Sequence, residues 1–157
     1  MIHELTAKGT VAYAVQIEGH RGRFYQKLSQ KFPPEPAPIE LYEALAKNEA
    51  THKKLLNRIL ASQPVEIPVP DLGERYEMLR AMSLSEFFNG DIGLYKRLRR
   101  VRTPNDALEE TLELEKDTLA YYQAMQDIIG CSVELGDIIE DLKEHLLTVM
   151  DYTLSNP

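Results

Sequence analysis

The feature that most constrains this chain is a set of four long segments, joined as two close pairs, in which apolar residues recur at the helical period. The first covers about 10–31, with Val11, Ala14, Val15, Tyr25 and Leu28 at three- and four-residue steps. Phe32-Pro33-Pro34 ends it, because proline has no amide donor and restricts the residue before it. The second covers about 38–62, with Leu41, Leu45, Leu56 and Ile59 on its stripe, and Gln63-Pro64 closes it. The third runs over 104–129: Thr103 before Pro104 makes a natural N-cap and first-turn pair, and Gly130 a natural stop. The fourth covers about 132–152 through Leu135, Ile138, Leu142 and Val149.

Short links make the two helices of each pair antiparallel neighbours, whereas the roughly forty residues of 63–102 can cross the length of a bundle. That crossover has room for a short helix over 83–100, where Leu84, Phe87, Phe88, Leu94 and Leu98 offer an apolar side. The one alternating stretch, 65–70, is interrupted by Pro68 and Pro70 and does not read as a strand. The expected fold is all-α: one domain over 1–157, a four-helix bundle of two hairpins and a long crossover.

A chain of 157 residues can bury a core without covalent staples. Its single cysteine, Cys131, excludes an internal disulfide and any CxxC metal centre, and reads as a small inert residue or a partly exposed thiol. The net charge of −7 argues against a nucleic acid partner. The dense basic run from Tyr95 to Arg102 then reads as the solvated side of a helix. No apolar run is long enough for a membrane span, and the N-terminus meets a glutamate too early for a signal-peptide core. A soluble cytoplasmic protein is expected, with no membrane partner.

The chemistry lies in the polar residues that interrupt the apolar stripes. Glu18 stands on the first, Glu49 and His52 on the second, Glu115 on the third and His145 on the fourth. His3 and His20 fall off these stripes and read as surface residues. A buried ionised carboxylate is costly unless paired or metal-bound, so three of them need an explanation. Residues at i and i+3 share a helix face, so Glu49 and His52 can grip one ion. Oxygen and imidazole donors together suit iron, with manganese or zinc as further possibilities, rather than calcium. Two plainer readings stay open: each carboxylate sits at a stripe edge in water, or the polar residues bond one another in a site that has decayed.

The halves also repeat. Glu18 is followed by Phe24-Tyr25 and Glu115 by Tyr121-Tyr122 at the same offsets, and each half places a histidine on its second helix. Ile17-Glu18, Phe24-Tyr25, Glu49-Ala50-Thr51-His52, Leu114-Glu115-Lys116, Tyr121-Tyr122 and Glu144-His145 together resemble the helix signatures of the rubrerythrin-like, ferritin-like superfamily. In such bundles one Glu comes from each of two helices and a Glu-x-x-His from each of the other two. The resemblance implies a non-haem di-iron centre held by Glu18, Glu49, His52, Glu115 and His145, with Glu49 bridging. It implies an oxidoreductase acting on peroxide or dioxygen, or a protein that handles iron.

Two departures from the pattern stand out. Leu142 occupies the place of the second bridging glutamate; Asp141 and Glu144 lie about 100° and 160° around the helix from it. The cysteine-rich rubredoxin module is missing, so a separate electron-donor protein would be required. A non-catalytic interaction or structural protein with a degenerate metal site is therefore the alternative. A homodimer is expected in either case. Tyr25, Tyr121 and Tyr122 read as core residues whose hydroxyls reach the carboxylates.

Overall fold

The computed structural model describes residues 7–33, 38–62 and 90–155. They form five helices: α1 (Ala7–Lys31), α2 (Ile39–Ser62), α3 (Gly90–Arg99), α4 (Pro104–Ile129) and α5 (Val133–Ser155). The four long helices match the expected segments, with α1 starting three residues earlier and α5 ending three later. Of the crossover, α3 is described; the expected start of its helix at residue 83, with Leu84, Phe87 and Phe88, lies outside the described residues, as does His3.

Local chemistry sets the helix ends. The Thr103 hydroxyl accepts from the Asp106 amide, and the Asp106 carboxylate accepts from the Thr103 and Arg102 amides, a capping box ahead of Pro104. Gly130 stops α4 at φ +88°, a backbone region that suits glycine, and donates its amide to the Gln126 carbonyl. Two residues on, the Ser132 hydroxyl accepts from the Leu135 amide and starts α5.

The helices close into a ring in which α1 packs on α2 and α4, and α5 packs on α4 and α2. Each hairpin supplies one adjacent pair, so all four stripes meet along one axis. Val11, Ile17, Leu28, Leu45, Leu56, Leu108, Leu114, Ile138 and Val149 fill that axis above and below its middle. α3 rests on α1 through buried Leu94. Lys31 Nζ fastens its far end by donating to the Val101 carbonyl at 2.5 Å and the Leu98 carbonyl at 3.2 Å. No described helix is long and apolar enough to cross a membrane.

Candidate functional site

Halfway along the axis the apolar packing gives way to a layer of fully buried polar side chains: Glu18, Arg21, His52 and Glu115. Arg21 is at its centre. Its Nη1 donates to Glu18 Oε2 and its Nη2 to Glu115 Oε1, each at 2.6 Å. One guanidinium thus bridges a carboxylate of α1 to a carboxylate of α4. Two tyrosines complete the layer: Tyr25 donates to Glu115 Oε1 and Tyr122 to Glu18 Oε1, again at 2.6 Å. Tyr121 instead donates to the Thr10 carbonyl at 3.0 Å. The repeat of an aromatic pair six and seven residues beyond each glutamate therefore has a geometric purpose. Each second tyrosine reaches across the bundle to the glutamate of the other half.

The electrostatics follow from this pairing. Burial alone would push the Glu18 carboxyl up, but Arg21, His52 and Tyr122 outweigh it and hold Glu18 at about 2. Burial would likewise pull the Arg21 guanidinium down; Glu115 and Glu18 keep it well above its ordinary value. Tyr25 and Tyr122 are driven well above 10, first by burial and next by the carboxylates they serve. Two carboxylates against one guanidinium leave a single net negative charge. His52 answers it: despite burial its pKa is raised, through Glu18 and then Asp141. Its Nδ1 lies 3.4 Å from Glu18 Oε1, a charge contact longer than a good hydrogen bond, and its Nε2 lies 3.1 Å from Asp141 Oδ2. With His52 protonated the layer is neutral.

The structure brings together four of the five residues expected to bind metal. Glu18, Glu115 and His52 form the buried layer, and the His145 ring lies 6.2 Å from that of His52. His145 Nε2 pairs with the Asn48 amide at 2.7 Å, its Nδ1 has no hydrogen-bond partner, and burial holds its pKa below the ordinary histidine value. Glu49 faces elsewhere. It packs against α1, where a Cβ on Gly22 would come within 2.6 Å of its Cγ. Its carboxylate lies 3.7 Å from Lys53 Nζ, at the edge of an open groove between α1 and α2. Leu142 is fully buried among the core residues. Asp141, expected to lie too far around α5 to serve, does reach the layer, through His52.

Arg21 is the residue that the reading of the sequence passed over. Its signal was present: Glu18, Arg21, Tyr25 and Leu28 follow one another at three- and four-residue steps, so Arg21 shares the buried face. Of the remaining expectations, Cys131 is an exposed thiol, and His20 is half-buried and contacts Arg23. In the basic run Arg97 turns inward to Glu110 and Asp117, while Tyr95 and Arg99 stay exposed.

No family profile matches the chain, and no curated protein matches its sequence. One solved structure does match over its whole length: a protein of Thermotoga maritima proposed to be a ferritin-like diiron-carboxylate protein. It superposes with a TM-score of 0.67 at 18% identity, and the match covers 100% of both chains. The fold is ferritin-like. Within this ferritin-like bundle, the fit of a metal pair can be judged from the donors. Both oxygens of Glu18 and Oε1 of Glu115 turn onto Arg21, His52 and the tyrosines, leaving Glu115 Oε2 without a hydrogen-bond partner. Glu49 turns onto Lys53, and Leu142, where a bridging glutamate was expected, cannot ligate. Among the described residues no three His, Cys, Asp or Glu side chains converge as a metal cage. As arranged, the residues do not fit a dinuclear centre.

Proposed function

We propose that this protein is a non-catalytic member of the ferritin-like fold, an interaction or structural module whose core carboxylates are neutralised by Arg21 in place of metal. The observation that carries the proposal is the pair of 2.6 Å contacts from one fully buried guanidinium to Glu18 and Glu115. A dry carboxylate needs a cation, and an arginine supplies one that is always charged and has a planar fork of donors. The pairing leaves one net negative charge in the layer, far short of the four that two divalent ions would require.

A second reading has its own support. Glu115 Oε2, His52 Nδ1 and His145 Nδ1 are buried without hydrogen-bond partners, and the Thermotoga maritima protein with this fold is proposed to carry a diiron-carboxylate centre. On that reading the chain binds iron and acts on peroxide or dioxygen, with electrons from a separate protein. It requires Arg21 to leave the layer and Glu49 to enter it.

Metal analysis of protein grown with added iron separates the two. The first reading expects substoichiometric metal and a melting temperature indifferent to ferrous ion, manganese or chelator. Two metal ions per chain, with a melting temperature that chelator lowers, would establish the second.

A further inference from the structure

The segment that carries α3 departs sharply from an otherwise acidic molecule. Residues 92–105 hold five cations and no acid, in a chain of net charge −7. Arg97 alone among them turns inward, to Glu110 and Asp117. Lys96, Arg99, Arg100 and Arg102 are exposed. α1 adds Lys27, whose Nζ lies 6.0 Å from the centre of the Tyr95 ring, and that tyrosine is itself 54% exposed. Cations at the end of a helix ordinarily serve its last carbonyls. Here Lys31 fills that role from α1, donating to the Leu98 and Val101 carbonyls. The outward arginines are therefore not needed to finish the helix.

We propose that Tyr95 and the cations around it form a docking surface for a short acidic segment of a partner protein, one with an apolar side chain among its carboxylates. Charge complementarity names the occupant. Arginine forks pair carboxylates two oxygens at a time, and the exposed ring of Tyr95 offers an apolar side chain a place between them. The size of the patch limits the length of the occupant. α3 has ten residues, about 15 Å at the helical rise, which an extended peptide of about five residues spans. The rest of the surface selects against longer polyanions. Outside 92–105 the excess of acids is larger than the whole-chain charge shows, so a nucleic acid strand or an anionic bilayer reaching the patch would meet repulsion beside it. The docking surface rests on the interaction reading for its purpose. Its geometry uses no residue of the Arg21 layer, so metal found in the core would leave it standing.

Fluorescence polarisation with the full chain tests this, using two fluorescein-labelled peptides of equal charge: four glutamates with two leucines, and four glutamates with two serines. In about 0.05 M salt, where screening is weak, the leucine peptide is expected to bind roughly fivefold or more tightly than the serine peptide. Arg99→Gln combined with Arg102→Gln is expected to weaken both by roughly tenfold or more, with unchanged helical circular dichroism. Tyr95→Ser is expected to erase the advantage of the leucine peptide. Lys54→Gln, at an exposed lysine of α2, is expected to change neither affinity. The proposal is overturned if neither peptide binds, if leucine brings no advantage, or if Lys54→Gln weakens binding as much as the arginine pair does. It is overturned equally if single-stranded oligothymidine or phosphatidylserine vesicles bind the wild type more tightly than the leucine peptide.

Discussion

Arg21 and Glu115 lie ninety-four residues apart in sequence and meet at 2.6 Å in the centre of the bundle, where neither side chain reaches solvent. Such a pair is a weak net stabiliser relative to an apolar core, because both charges have been taken out of water. Removing one partner is another matter, since the other is then buried and uncompensated. Arg21→Met is therefore expected to destabilise the protein by about 3–5 kcal/mol, read by urea unfolding. Adding Glu18→Gln and Glu115→Gln should recover a large part of that loss. If the triple variant is no more stable than the single one, the charge account of the layer is wrong.

The pH dependence follows from two groups. Glu18 has a folded value of about 2 against an ordinary 4.5, so its contribution is complete above the unfolded value and disappears as pH falls towards 2. The shift corresponds to stabilisation on the order of 3 kcal/mol at neutral pH. Glu18→Gln should flatten the acid limb of the stability profile. His52 has the opposite sign: its raised value gives stability that is fully present below the unfolded histidine value and is lost as pH rises through the folded one. His52→Asn should remove that alkaline-side decline, as measured by unfolding midpoints across the neutral range.

Tyr25 and Tyr122 each place a hydroxyl on a buried carboxylate. Loss of either by Tyr→Phe leaves an acceptor short of one donor and is expected to cost about 1–3 kcal/mol. Both tyrosines should also resist ionisation, so ultraviolet titration of the folded protein should show them deprotonating only with unfolding. A normal titration near 10 for either one would contradict its placement.

Gly22 offers a test of where Glu49 points. In an open helix, Gly→Ala stabilises by about 1 kcal/mol. Here the added methyl would sit 2.6 Å from Glu49 Cγ, near the root of that side chain, so Gly22→Ala should destabilise instead, by about 1–3 kcal/mol. Glu49→Ala in the same chain should reverse the sign. A stabilising Gly22→Ala in the wild-type background would mean that Glu49 lies elsewhere.

Adding metal donors tests whether Arg21 and Leu142 together account for the poor fit of the layer to a metal pair. Arg21→Ala with Leu142→Glu is expected to gain a chelator-sensitive rise in melting temperature with manganese or zinc, whereas Leu142→Glu alone should only destabilise. Differential scanning calorimetry with and without metal makes the comparison.

Much of this fold was legible in the sequence because its signals are local: a stripe period, the Thr103-Pro104 start, the Gly130 stop. Part of the polar layer was legible as well, since Glu18, His52 and Glu115 each interrupt an apolar face, as does His145 beside them; Arg21, at the centre, was not. Their partnerships were harder to read. An arginine on a buried stripe suggests a surface group until its two acids are seen to converge on it from different helices. The direction of Glu49 depends on the missing side chain of Gly22, which lets α2 press its carboxylate against α1. Asp141 lies well around α5 from Leu142, yet it meets the layer because His52 extends towards it.

The fork of Arg21 joins a carboxylate from the first hairpin to one from the second. Neither hairpin can close its interior alone, since one would strand an arginine with surplus charge and the other a lone acid. The two halves of the chain are therefore expected to unfold together as one cooperative unit.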